Sequence, residues 1–293
     1  MLGNQILKTL TFISRGGRKV NLSVLRVILA EMRKNYKQFF FTYYTLFWVL
    51  ILPSGNGLLY YFMYLPFTRT IIPFEWLGHS LNIDIVGFTL IGQLVYTFFL
   101  STLMAGAIFD REREQGTFEL VLLSPSNRLA ILLGNTLGTS IRYLWLMIGT
   151  IAIFSLSFNV GILINDFAAV FLSLLLSFLA LLTFGLSLAA FSIHSRRGGL
   201  IAIACQEPVA YVSGLVVPQN ALPQTLAQAG YLIPLTIGLI AMRLSLLGGA
   251  MLQDIQLLLG VLLIMIVVYV VLAHFLVKIA EKSAKEKGTL ALF

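Results

Sequence analysis

The densest group of charged side chains in this sequence lies in residues 110–128, where a charged stretch precedes an amphipathic one. It begins Asp110-Arg-Glu-Arg-Glu-Gln, and the following Gly116-Thr pair can end one helix and begin another. Ser124-Pro125 then stops the second helix. A short helix with one apolar face suits docking into a groove of a soluble protein, so this segment predicts recognition of a partner. An ordinary charged loop is the alternative.

Glu207 is the clearest ionisable residue inside an apolar stretch. A charge in the hydrocarbon core of a bilayer costs at least ~2.5–3.5 kcal/mol and usually faces a partner or water. Glu207 is therefore a candidate for lining a substrate path, and a hydrogen-bonded structural carboxylate is an equal alternative. Tyr96, Phe99 and Ser213 are further candidates for this path, although packing in lipid explains the aromatic residues equally well.

The motifs of the common catalytic and metal sites are missing from the sequence. It contains no His-Glu-x-x-His, no Gly-x-Ser-x-Gly and no pair of membrane aspartates, so we expect neither an enzyme nor a metal site. Residues 134–138 have glycines at both ends but lack the lysine and the spacing of a phosphate loop. Their Gly-x-x-x-Gly spacing instead predicts close helix packing.

Composition indicates an all-α membrane protein. Hydrophobic residues make up 58% of the chain and charged residues 11%, and a helix needs ~20 apolar residues to cross a bilayer. We therefore predict six transmembrane helices, at residues 39–62, 85–109, within 135–158, 167–191, 198–217 and 255–277.

Four other segments have distinct predicted roles. Residues 22–36 form an amphipathic interface helix whose basic side chains meet lipid headgroups. Residues 53–57, Pro-Ser-Gly-Asn-Gly, break or kink span one, either to line a cavity or only to pack against a neighbour. Residues 65–84 form an outer loop. Residues 218–254 are interrupted by proline and glycine, which predicts short re-entrant or interfacial helices on the outer side.

The distribution of basic residues gives the orientation. Of the 20 Lys and Arg residues, all except Arg69, Arg142 and Arg243 fall in segments on one side of the predicted spans. The positive-inside rule therefore predicts that both termini are cytoplasmic. The first twenty residues lack a signal peptide pattern, which agrees with this orientation. The net charge of +8 is thus a topology signal, and nucleic-acid binding is not needed to explain it.

The segment at residues 110–128 also carries a resemblance to a known family. It contains an acid-Arg-Glu triplet, then Gly116-Thr-Phe-Glu-Leu, then Ser124-Pro-Ser-Asn-Arg, and this pattern resembles the coupling region of type-2 ABC transporter permeases. Other similar features follow in the expected order, namely the amphipathic helix before span one, Ser213-Gly followed by Pro218 and Leu222-Pro after span five, and Ile233-Pro-Leu-Thr before Arg243. The resemblance covers nearly the whole chain.

The resemblance implies a function that the composition alone does not. In that family two six-span permeases form a dimer, and two cytoplasmic ATPase subunits, which bind ATP and Mg, engage the loop between spans two and three. The loop here would be a coupling helix. The residues implied in this contact are Asp110, Arg111, Glu112, Glu114, Gly116, Thr117, Glu119, Leu120, Ser124 and Pro125.

The predicted organisation is a cytoplasmic N-terminus at residues 1–38, a six-span domain at residues 39–277 and a cytoplasmic tail at residues 278–293. Type-2 permeases mostly export, so we expect outward movement of an amphipathic, drug-like or lipid-like molecule across the plasma or inner membrane. Export of a polysaccharide or lipid-linked glycan is the alternative within the family. An ion-coupled secondary transporter and an intramembrane enzyme are the alternatives outside it.

Overall fold

The computed structural model describes residues 20–40, 72–76, 79–83, 85–114, 129–141, 164–194, 203–215 and 218–286, with residues 51, 55, 58, 59, 62, 116, 127, 143, 147 and 200. The elements in chain order are α1 (Val20–Phe40), β1 (Ile72–Trp76), β2 (His79–Ile83), α2 (Ile85–Glu114), α3 (Leu129–Ile141), α4 (Phe167–His194), α5 (Gln206–Val212), a 3-10 turn (Gln219–Ala221), α6 (Gln224–Gly230), α7 (Pro234–Leu246) and α8 (Leu252–Glu286). The described chain is helical apart from one two-stranded hairpin, as the predicted class requires.

Two of these helices are long and apolar enough to cross a membrane, and a bent helix pair raises the number to three among the described residues. The two are Phe167–Phe191 in α4 and Leu252–Ile279 in α8, which match the predicted spans at residues 167–191 and 255–277. Val267, Val271 and Phe275 of α8 are exposed, each by 45% or more. An apolar surface of this kind needs lipid or another protein to cover it. The six-span layout itself stays a prediction.

Helix α4 is the centre of the described fold, since it packs against α2, α7 and α8. Its crossing with α2 is very close at Gly185. A Cβ atom added at Gly185 would lie 2.2 Å from the Cβ atom of Thr102 on α2 and 2.9 Å from its Cα atom. Small residues permit such close approach between helices in membranes, where dispersion contacts replace the hydrophobic effect as the driving force.

Helix α1 packs against α3 through the two glycines of the Gly134-x-x-x-Gly138 pattern. A Cβ atom at Gly134 would lie 2.7 Å from the Ile28 carbonyl oxygen, and one at Gly138 would lie 3.0 Å from the Asn35 Cβ atom. The Nδ2 atom of Asn35 donates hydrogen bonds to both oxygens of Asn135 at this contact. The prediction of close helix packing at these glycines is thus confirmed.

The region between the last two predicted spans is a broken helix pair. Helices α6 and α7 meet at 89°, and Pro234 begins α7. The Thr236 hydroxyl donates to the Gly230 carbonyl oxygen across the bend at 2.6 Å. All residues of α7 are buried, so this helix belongs to the core of the described chain. The division by proline and glycine was correctly predicted from the sequence.

Residues 72–83, predicted as part of an outer loop, contain an antiparallel hairpin. Strands β1 and β2 pair from Ile72 with Ile83 to Trp76 with His79, so only two residues connect them. Pro73 is compatible with this sheet because a two-stranded hairpin has only edge strands, where a missing N–H can face away from the partner. The hairpin was not predicted, because the prolines and charges nearby outweighed the short apolar runs, and the position of this segment on the outer side stays a prediction.

Two predicted helix ends also differ from the structure. Helix α2 continues five residues beyond the predicted end at residue 109. The segment predicted as span five contains a seven-residue helix that ends at Val212, and Gly214 has a φ of 79°. A positive φ is easy for glycine and stops the helix there. The helix thus ends before the predicted limit at residue 217. The predicted break at residues 53–57 lies largely outside the described residues.

Asp166 joins the first turns of α4 and α8. Its Oδ1 atom accepts the Ala168 N–H at 2.9 Å and its Oδ2 atom accepts the Leu252 N–H at 3.0 Å. The Leu252 N–H therefore holds the pKa of the Asp166 carboxyl below its ordinary value, with smaller contributions from Ala168 and Ala169, and burial opposes this shift. One carboxylate thus caps two helices that are far apart in the chain.

Replacing Asp166 with asparagine should lower the apparent Tm at neutral pH by a few degrees, since one amide oxygen cannot accept both N–H groups equally well. Because the folded pKa is lowered, the stabilisation is fully present above the unfolded pKa of about 3.9 and is lost as the pH falls through the folded pKa. The difference in Tm between native protein and variant should therefore shrink at acidic pH. Thermal unfolding in detergent between pH 7 and pH 3 measures this, and a constant difference would contradict it.

Candidate transport site and coupling segment

Helix α2 carries two of the four candidate substrate residues, Tyr96 and Phe99, and also the start of the predicted coupling segment. It is one helix of 30 residues from Ile85 to Glu114, which corresponds to about 45 Å. Residues 87–99 are all buried, and Gly116 has a φ of 69° just beyond the helix. Gly116 therefore terminates the helix, as its type predicted.

The predicted partner contact divides into a helical part and a part outside the described residues. Asp110, Arg111, Glu112 and Glu114 belong to the last turns of α2, and Gly116 is exposed. Thr117, Glu119, Leu120, Ser124 and Pro125 lie outside the described residues, and so does the predicted coupling helix. The chain returns at Asn127, whose Oδ1 atom accepts the Leu129 N–H at 3.0 Å and so caps α3.

Glu207, Tyr96 and Gln206 form a hydrogen-bonded cluster where α5 meets α2. The Tyr96 hydroxyl donates to the Glu207 Oε1 atom at 3.1 Å. The Gln206 Nε2 atom donates to the Tyr96 hydroxyl at 2.9 Å and to the same Oε1 atom at 3.2 Å. Tyr96 is buried whereas Glu207 is exposed on the surface of the single chain. Two of the four predicted path residues thus come together.

Phe99 and Ser213, the other two predicted path residues, are both buried. The Phe99 ring lies behind Tyr96, with centroids 6.1 Å apart, and also faces the Phe184 ring of α4 at 6.3 Å. The Ser213 hydroxyl has no hydrogen-bond partner among the described residues. No described contact joins Ser213 to Tyr96 or Glu207. Phe99 therefore supports the cluster from the core, and Ser213 lies apart from it.

Arg243, which lies in a segment predicted to be on the outer side, is a buried arginine. Only 1% of its surface is exposed. Its Nη1 atom donates to the Gly214 carbonyl at 2.8 Å, and its Nη2 atom donates to the carbonyls of Leu215 at 3.1 Å and Phe88 at 3.4 Å. The guanidinium carbon lies 3.4 Å from the centroid of the Phe88 ring. This burial was not predicted from the sequence, and the side of the membrane on which Arg243 lies stays a prediction.

The position of Arg243 follows from the fold. Its side chain extends from α7 to the end of α5 and to the start of α2, so one guanidinium connects three segments. Carbonyl oxygens are partial negative charges, and a planar group with five N–H donors can bind several of them at once. A single arginine inside the apolar run of residues 235–246 was the available sequence signal. Charges inside such runs usually bind a specific partner.

Within the described residues, no three His, Cys, Asp or Glu side chains come together as a metal site.

Comparison with known proteins agrees with these observations. A family model described as ABC-2 type transporter matches residues 26–247, from α1 to the end of α7. No curated protein sequence matches the chain. The family match covers most of the chain and agrees with the resemblance in residues 110–128. The chain therefore belongs to the ABC-2 type transporter family, as an integral membrane subunit that works with an ABC ATPase.

Proposed function

We propose that this chain is the permease of an ATP-driven exporter, which moves an amphipathic, drug-like or lipid-like molecule out of the cell. One observation carries this proposal beyond family membership. The single helix α2 connects residues 110–114 with the cluster of Tyr96 and Glu207. Tyr96 precedes Asp110 by 14 residues, or about 21 Å of helix. A force applied at the charged end can therefore reach the candidate substrate residues through one rigid element.

The proposal includes six spans with both termini cytoplasmic, in the plasma or inner membrane. The broken pair of α6 and α7 is then a re-entrant segment on the outer side. Residues 110–128 contact the ATPase, which binds ATP and Mg, and the residue pattern from Asp110 to Pro125 supports this assignment. A second permease copy completes the transport path.

The second copy is supported by the surface around Glu207. Glu207 is exposed on the single chain, as are Ile203 by 43% and Tyr211 by 47%. A carboxylate that faces hydrocarbon is costly, so in a membrane this surface needs water or protein beside it. A cavity between two permease copies supplies both.

The mechanism follows from the reciprocity of coupled equilibria. An ATPase that closes on ATP must bind the coupling segment better in one arrangement of the permease than in the other. This difference in contact free energy shifts the permease between its two arrangements, and substrate binding must shift ATPase closure in return. Helix α2 is the element that connects the two events.

Charge reversal in the coupling segment tests the proposal. The double variant Glu112→Lys with Glu119→Lys should weaken ATPase binding at least tenfold, because disrupting charge pairs at an interface typically costs ~2–5 kcal/mol. ATP-driven export of an amphipathic fluorescent probe from vesicles should fall in parallel. Co-purification with the ATPase measures binding.

Glu281→Lys is the matched control, since it reverses a charge in the predicted cytoplasmic tail and leaves residues 110–128 intact. We expect this variant to bind the ATPase and to export the probe at the native level. Unchanged binding and export in the double variant would refute the coupling assignment.

A further inference from the structure

Glu207 lies on an exposed face that is otherwise apolar or aromatic. Ile203, Glu207 and Tyr211 follow at intervals of four residues, which puts them on one side of the helical segment around α5. All three are exposed on the single chain. The face therefore presents an aliphatic side chain, one carboxylate and one phenol ring along about two turns of helix.

The carboxylate is held in a defined direction. Tyr96 and Gln206 both donate to Oε1 of Glu207, at 3.1 and 3.2 Å. Gln206 also donates to the Tyr96 hydroxyl, so the two donors are themselves connected. No described residue donates to Oε2. A carboxylate held in this way loses little side-chain freedom on binding, which favours affinity.

The charge of Glu207 has no counter-ion among the described residues. No Lys or Arg of the described chain lies within ion-pair distance of it, whereas Glu31 lies 3.5 Å from Lys34 in α1. A carboxylate beside hydrocarbon is stabilised most directly by a positive charge. Two other exposed residues lie on this face. Ile203 can contact an apolar tail, and the face of the Tyr211 ring can bind a cation.

We infer that Glu207 is the binding group for the positive charge of a cationic amphiphile, and that this is the substrate class of the proposed exporter. The inference rests on the proposed function, because it assumes that the exposed face of α5 lines the transport path. The cationic head contacts Oε2 and the Tyr211 ring, and the apolar part lies along Ile203. Tyr96 and Gln206 are positioning residues, since they act on the ligand only through the carboxylate.

A pair of matched probes tests the charge requirement directly. One is a fluorescent alkyl trimethylammonium, and the other is its uncharged analogue with a tert-butyl head of nearly equal size. Binding of each to the purified complex of the full chain with its ATPase is measured by fluorescence anisotropy without ATP. Glu207→Gln should raise the Kd of the cationic probe at least tenfold, equal to about 1.4 kcal/mol, and change that of the neutral probe less than twofold.

Two variants serve as comparisons. Asp254→Asn removes an exposed carboxylate at the start of α8 and should leave both Kd values unchanged. Tyr96→Phe removes one donor to Oε1 and keeps the ring, so it should weaken binding of the cationic probe by a smaller factor than Glu207→Gln.

Cys205 supplies a second readout that requires no probe binding. It is the only cysteine of the chain, is exposed and lies two residues from Glu207. A cationic methanethiosulfonate should react with it several-fold faster than an anionic one. Glu207→Gln should reduce this rate ratio, because the local negative potential is removed.

The outcomes separate this inference from the proposed function. The inference is supported if Glu207→Gln weakens binding of the cationic probe alone and also reduces the ratio of the two methanethiosulfonate reaction rates. Equal effects on both probes, or an unchanged rate ratio, overturn it and make Glu207 a structural residue. Selective binding of the cationic probe without ATP-driven export refutes the exporter proposal while leaving the cation site established.

Discussion

Replacing Arg243 with methionine is expected to lower the apparent Tm of the detergent-solubilised protein by roughly 5–10 °C. Methionine fills similar volume but leaves the carbonyls of Gly214, Leu215 and Phe88 without the guanidinium donors. A buried polar group without a partner costs ~1–3 kcal/mol, and three carbonyls are affected together. Size-exclusion chromatography after heating measures the surviving folded fraction.

Arg243→Lys is the informative comparison. Lysine keeps the positive charge but has a single ammonium group, which lacks the planar fork that binds Gly214 and Leu215 while stacking on Phe88. Its Tm should fall between those of the native protein and the methionine variant. A methionine variant as stable as the native protein would mean that the three carbonyls find other donors.

Gly185→Ala is expected to have an effect of similar size through steric conflict. The new methyl group would lie 2.2 Å from the Thr102 Cβ atom, and the nearest Thr102 backbone atoms are only 2.9 and 3.0 Å away. Neither helix can yield locally, so α2 and α4 must separate. Overpacking of a close contact costs ~1–3 kcal/mol, and we expect the upper end of this range. The same thermal assay measures the loss.

Gly260→Ala is the matched control for this prediction. A Cβ atom at Gly260 of α8 meets no atom of the described residues within 4 Å. The substitution should therefore be neutral or stabilise the helix by ~0.5–1 kcal/mol, because alanine has the higher helix propensity. Combining Gly185→Ala with Thr102→Gly should recover part of the lost Tm. Equal Tm values for the two single alanine variants would refute a close crossing at Gly185.

The sequence predicted those helices that composition alone defines. The uncharged runs of α4 and α8 exceed the length of a bilayer, and their bounds agree with prediction within a few residues. Helix ends were less predictable where polarity and backbone geometry disagree. The charges at residues 110–114 suggested that α2 ends, yet charged residues continue a helix readily. Helix α5 ends early because Gly214 adopts a positive φ, and the sequence does not show which glycine will do so.

The candidate site was predictable in its members but not in its contacts. Glu207 and Tyr96 are both conspicuous in the sequence, but they are 111 positions apart, and only the packing of α5 on α2 brings them together. Gln206 was missed because a glutamine beside a glutamate carries no signal of its own. The burial of Arg243 was missed because counting charges by segment predicts the side of the membrane and not whether a side chain faces water or the core. Main-chain carbonyls inside the fold can also bind an arginine, and no sequence pattern marks them.

In the proposed mechanism, the close crossing at Gly185 is the pivot about which α2 tilts. Thr102 lies six residues from Tyr96 and twelve from Glu114, so the two arms measure about 9 and 18 Å. If α2 tilts as a rigid body about this point, Tyr96 moves in the opposite direction to Glu114 and about half as far, because its arm is half as long. The shorter arm doubles the force in exchange. A larger force over a shorter distance suits the breaking of the hydrogen bond from Tyr96 to Glu207.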